Sequence, residues 1–145
     1  MRVVIDTNVW ISGLLWRGAP WRILRLVERG EIEVCIAPPM VTELEQVLTA
    51  ERLRPRLERL GLSPSDLLAY ALHLTTVFEV PEAPRGEPSP IVAADPDDDV
   101  FVQCAAVSGA SYLVSGDRHL LDMGQYQEIA ILSPAEFLEH VFPGE

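Results

Sequence analysis

Short runs of aliphatic and β-branched residues recur along the chain, and stretches with helical periodicity separate them. Residues 2–5 (RVVI) stop abruptly at Asp6, and residues 32–36 (IEVCI) stop just before Pro38-Pro39. Neither run alternates apolar with polar positions, so both predict buried strands rather than strands with one wet face. Between them Trp21, Leu24 and Val27 recur at helical spacing, with Arg22, Arg25 and Arg29 on other faces and Gly30 as a stop. A strand, a helix and a second strand in that order make a βαβ unit, which implies a parallel sheet.

The pattern continues. Met40, Val41, Leu44, Val47 and Leu48 form a helical stripe, and two more helical segments are expected over 51–60 and 63–74, divided by Gly61. Ser63 has the chemistry of an N-cap, with Pro64 at the first helical position. Residues 75–80 read as a strand or extended piece, and residues 81–96, with five prolines, as a surface loop. A helix is expected from 97 to about 108, ended by Gly109, then strands at 111–115 and 129–132, and a last helix from Ser133-Pro134 through 141. The 145 residues are 48% hydrophobic, enough for one core. The prediction is a single α/β domain over 1–145, three layers α/β/α around a mostly parallel sheet.

No apolar stretch approaches the length of a membrane span, and no signal-peptide pattern opens the chain, so a cytoplasmic location is expected. Cys35 and Cys104 each lie in an apolar run and predict reduced core thiols. All 11 bases are Arg, against 22 acids, for a formal charge of −11. Phosphate cradling by a P-loop, Schiff-base chemistry and receiver-domain phosphorylation each use a Lys ammonium, which this chain lacks. The acid excess also argues against a general polyanion-binding protein, unless cations bridge the gap.

In open α/β sheets the reactive crevice lies beyond the carboxyl ends of the strands. Asp6 follows the first strand, Asp117 follows SYLVS, and Asp95-Pro96-Asp97-Asp98-Asp99 opens a helix. Capping and the helix dipole account for one or two of those acids. Asp98 lies three before Phe101 and seven before Ala105, on the stripe that faces the sheet, and is preferred to Asp99 on that ground. Facing carboxylates repel unless a cation neutralises them, and an all-oxygen set suits Mg²⁺ or Mn²⁺. His73, His119 and His140 follow no ligand spacing, which argues against zinc. A fourth acid is available from TELEQ, where Glu43 and Glu45 flank the apolar stripe symmetrically and periodicity does not choose between them.

With IDTNVW at 5–10, TELEQVL at 42–48, DPDDDVFVQCA at 95–105 and YLVSGDRHLL at 112–121, the chain resembles the PIN-domain family over essentially its whole length. It looks most like the toxin components of toxin-antitoxin pairs. The resemblance implies a metal-dependent endoribonuclease, with an antitoxin protein as partner and a homodimer as the assembly. Residue by residue, it matches Asp6, Glu43, Asp98 and Asp117 to the catalytic and metal-binding acids. Asn8 and Ser115 match the supporting polar residues, and the match chooses Glu43 over Glu45. The extra acid of the DPDDD run leaves Asp95 and Asp99 as further candidate contacts.

The chemistry is then attack of a water, activated by one or two Mg²⁺ or Mn²⁺ ions, on an RNA phosphodiester. Charge is +3 over residues 1–30, −4 over 31–81 and −10 over 82–145. The RNA grip is therefore sought in Arg52, Arg56 and Arg59, spaced for one helical face, with Trp10, Trp16 and Trp21 as stacking candidates. Trp10, Leu14 and Trp21 are the candidate dimer contacts. Two other readings are a structure-specific DNA nuclease and a low-activity interaction module bound by an antitoxin. A HAD-like phosphatase is excluded because Asn8 stands where its second Asp belongs.

Overall fold

Val3, Val4 and Ile5 are shut off from solvent, and alternate side chains of this one strand feed two separate cores. Val3 and Ile5 pack with Trp10, Leu24, Leu44 and Phe137, whereas Val4 packs with Cys35, Phe101, Cys104 and Leu113. A strand with apolar partners on both faces is the centre of a three-layer fold, as expected. The computed structural model describes residues 1–80 and 98–143. The expected loop over 81–96, with Asp95, lies outside the described residues.

In chain order the elements are β1 (Arg2–Ile5), α1 (Thr7–Leu15), α2 (Ala19–Glu28), β2 (Glu33–Ile36), α3 (Pro38–Leu48), a 3-10 turn (Glu51–Leu53), α4 (Arg54–Leu60), α5 (Pro64–Leu74) and β3 (Thr75–Val77). From residue 98 on come α6 (Asp99–Ser108), β4 (Tyr112–Val114), α7 (Arg118–Met123), β5 (Gln125–Tyr126), β6 (Ile129–Leu132) and α8 (Pro134–Val141). Among the described residues the six strands form one sheet in the order β3-β2-β1-β4-β6-β5. All neighbours are parallel except β5, which pairs antiparallel with β6. From β1 the chain first builds outward through β2 and β3, then returns to add β4 on the other side. The switch point lies between β1 and β4.

Several local expectations hold and three shift. Ser63 caps α5 by accepting from the Asp66 amide, Gly109 ends α6 at φ 72°, and Ser133 with Glu136 forms a capping box on α8. The strand expected over 75–80 closes at Val77. The helix expected from 97 begins at Asp99, with Asp98 at its cap position. The segment 51–60 is not one helix, because the chain makes a 3-10 turn before Arg54 and Pro55 opens α4. Proline has no amide hydrogen to give to a preceding turn and is tolerated at a helix start, which is where the break falls.

Arg2 ties the opposite, amino-terminal edge together. Its guanidinium donates to Glu33 Oε2 at 3.0 Å and to the Ser108 carbonyl at 2.7 Å, joining β1 to β2 and to the end of α6. Thr76 Oγ1 donates to Glu33 Oε1 at 2.9 Å, bringing in β3. These hydrogen bonds, with the Arg2 charge, hold the Glu33 carboxyl below its ordinary value of 4.5. A depressed carboxylate pKa stabilises the fold above the unfolded pKa and loses that contribution as pH falls through the folded one. Glu33→Gln is therefore expected to lower Tm at neutral pH, with the gap to wild type closing as the pH drops below about 4.5; a gap independent of pH would show that the carboxylate charge is idle.

Candidate functional site

Asp6 stands at the switch point because β1 runs straight into α1 with nothing between them. The residue is the N-cap of α1, and its Oδ1 accepts from the Val9 amide at 2.8 Å. Its Oδ2 accepts from the Ser115 hydroxyl and, at 3.3 Å, from the Gly116 amide. Both donors belong to the turn that leaves β4. The side chain is 4% exposed, and burial pushes its pKa up. The three donors offset part of that rise, and the nearby Asp117 charge adds to it.

Asp117 repeats the arrangement on the neighbouring strand. It is the N-cap of α7, and its Oδ1 accepts from the His119 amide at 2.7 Å. Its own amide donates to Ser115 Oγ at 2.9 Å. Ser115, fully buried, thus passes one hydrogen bond through to the next and fixes the spacing of the two acids. Each of the two acids stands at a helix start, where backbone amides carry partial positive charge. Two carboxylates held close, one of them dry, is a donor set that a hard divalent cation relieves.

Asp98 reaches the same edge by a different route. The end of α6 lies at the amino edge, where the Ser111 amide donates to the Arg2 carbonyl at 3.0 Å. A ten-residue helix rises about 15 Å, slightly more than a four-residue strand covers, so its start returns to the carboxyl edge. There the Asp98 side chain is half-buried, with Oδ2 shielded from solvent, and Asp99 is half-buried beside it. Glu43 lies on α3, which leaves the carboxyl end of β2. It is half-buried while Glu45 is exposed, so burial separates two acids that periodicity left equal. Asn8 is exposed on the first turn of α1.

The acids do not all close on one point: among the described residues no group of three or more His, Cys, Asp or Glu is gathered to hold an ion. The structure joins Asp6, Ser115 and Asp117 by hydrogen bonds and places Asp98 and Glu43 on helices at that edge. His73, His119 and His140 are exposed, and His119 Nδ1 lies 3.7 Å from Asp117 Oδ1. The backbone donors at Val9, Gly116 and His119 were not foreseen. The signal for two of them was available, since an Asp directly before a helix start is a cap.

The arginine face is altered by the broken helix. Arg52 lies in the 3-10 turn, apart from Arg56 and Arg59 on α4. Arg56 folds back to donate twice to the Leu15 carbonyl, at 3.1 and 2.8 Å, and lies over the Trp16 ring. It closes the end of α1, while Arg52 and Arg59 stay exposed. Trp10 is buried in the core and has no face for a base, and the Trp21 ring carries Arg17 and Arg25 at 4.6 and 4.7 Å. Trp16, with Arg56 over its ring, is the most exposed of the three at 44%.

The fold is shared with solved structures. PAE2754 from Pyrobaculum aerophilum is 18% identical, with 96% of this chain and 88% of that one covered at a TM-score of 0.59. A chain of VapBC2 from Rickettsia felis, crystallised bound to a DNA fragment from their promoter, is 11% identical, with 90% and 97% covered at a TM-score of 0.58. No curated protein matches the chain. Among the described residues no helix is long and apolar enough to cross a membrane. The model of the PIN domain matches residues 2–119, a span that starts with β1 and takes in Asp6, Glu43, Asp98, Ser115 and Asp117, so the chain belongs to the PIN domain family.

Proposed function

We propose that this protein is a divalent-metal-dependent endoribonuclease, the toxin of a toxin-antitoxin pair. PIN domains are generally nucleases. The observation that carries the reading is the Asp6–Ser115–Asp117 chain of hydrogen bonds at the switch point of the sheet. Asp6 and Asp117 would hold Mg²⁺ or Mn²⁺, with Asp98 and Glu43 completing the ligand set or orienting water. The bound ion supplies an activated water and charge stabilisation at the phosphate. Ser115 keeps Asp6 oriented. Of the three arginines Arg52, Arg56 and Arg59, the first and last stay exposed and would hold the RNA backbone. The antitoxin partner rests on the motif resemblance and on the fold shared with a VapBC2 chain.

A mixed RNA pool incubated with the protein and Mn²⁺ is expected to be cut, while a chelator or the matched DNA leaves substrate whole. Cutting of DNA alone would move the assignment to a DNA nuclease. The other reading is an interaction module bound by an antitoxin. Calorimetric titration with Mn²⁺ decides it, since saturable binding that Asp6→Asn removes is expected of the nuclease and has no place in a pure interaction module.

A further inference from the structure

Arg118, the residue after Asp117, is the sole base of residues 98–143 and stands in the part of the chain whose charge is −10 over 82–145. Other arginines have work inside the fold. Arg2, Arg25, Arg29 and Arg54 are in ion pairs, and Arg17 and Arg56 lie over tryptophan rings. Arg118 is exposed and, among the described residues, has no ion pair, hydrogen bond or ring contact, although Asp122 stands one helical turn away.

It lines a shallow hollow of about 270 Å³ with Gly116, Leu121 and Asp122. Gly116 is the link to the acids, because its amide donates to Asp6 Oδ2. A side-chain carbon at Gly116 would meet nothing within 4 Å, so the floor of the hollow is open beside the acid pair. A phosphodiester seated at Asp6 and Asp117 belongs to a chain whose next phosphate must lie within a nucleotide of them. In so acidic a surround that neighbour is repelled unless a cation meets it, and a guanidinium binds phosphate oxygens in a fixed fork.

We propose that Arg118 holds the phosphate adjacent to the scissile one on a single-stranded RNA, making the hollow beside Gly116 the flanking subsite. The assignment rests on the nuclease reading above. Its test is the salt dependence of binding, measured with a single-stranded RNA oligonucleotide and Asp6→Asn as the common background so that nothing is cut. Adding Arg118→Gln is expected to reduce the slope of log K against log salt by about 0.7, or about fivefold in affinity between 1 M and 0.1 M salt. Arg118→Lys should keep the slope, since it keeps the charge, and an exposed position predicts no change in Tm for either.

An unchanged slope in Arg118→Gln, with wild type still cutting RNA, overturns the subsite and leaves the nuclease standing. A slope lost in both variants makes the contact structural and overturns it too. If the background binds no RNA and wild type cuts none, the nuclease reading falls and the subsite with it.

Discussion

Asp6→Asn is expected to lower RNA cleavage at saturating Mn²⁺ by about 10³-fold or more while the metal-free protein keeps its Tm within a few degrees. A loss of that size corresponds to about 4 kcal/mol of transition-state stabilisation, within what a bound metal supplies. The substitution changes one oxygen for an amide and keeps the shape. Asn caps a helix as well as Asp does, so the Val9 amide retains its acceptor. The Ser115 hydroxyl can reverse and accept from the new amide, leaving its own hydrogen and the Gly116 amide, at 3.3 Å, without the Oδ2 acceptor. Each such contact is worth about 1 kcal/mol, and removing a charge that burial disfavours works in the opposite direction.

Rate and stability are thus uncoupled at this residue. Single-turnover cleavage and a thermal melt, run on the same preparation, read the two separately. Retained cleavage removes Asp6 from the chemistry, and a collapse of Tm makes it a structural cap. Mn²⁺ should raise the Tm of wild type and not that of the variant, because an ion bound only by the folded state stabilises it by mass action.

The parts of this site that could be read in the sequence are those that depend on order along the chain. RVVI and SYLVS are legible as buried strands because parallel strands in a covered sheet need apolar residues on both faces. Their carboxyl ends then place Asp6 and Asp117 at one edge from strand order alone. What stayed hidden depends on distance. Glu43 and Glu45 are equivalent around the axis of α3, and only the packing of that helix makes one half-buried and the other exposed. The donors to Asp6 from Val9 and Gly116 are backbone groups, which no residue type announces. The helix α1 carries no polar–apolar stripe, since Thr7, Val9, Trp10, Ile11, Gly13 and Leu15 are all buried, and a helix packed on most sides has no periodicity to find. The 3-10 turn at Glu51–Leu53 hid behind arginines spaced as on one helix, although Pro55 was the sign of a fresh start.

Trp10 shows the same difference between order and distance, and its replacement should have the largest effect on stability. Spaced with Leu14 and Trp21, it reads as a contact for a partner or a base, yet the side chain is 1% exposed within the core shared by β1, α2 and α8. Trp10→Ala is expected to cost about 3–5 kcal/mol, from lost burial and the cavity left behind. For a chain of this length that is roughly 10–15 °C in Tm. The indole Nε1–H is buried with no hydrogen bond among the described residues, a standing cost of the native side chain. Trp10→Phe removes that donor and keeps most of the ring, so it should lose less than half of what Ala loses. Thermal melts of the two variants, with sizing by light scattering, test the assignment. A fall in oligomer size at unchanged Tm would return Trp10 to the surface and to a dimer contact. The expected order of Tm, wild type then Phe then Ala, with Ala far below, places it inside the protomer and leaves the exposed Trp16 as the tryptophan open to a partner.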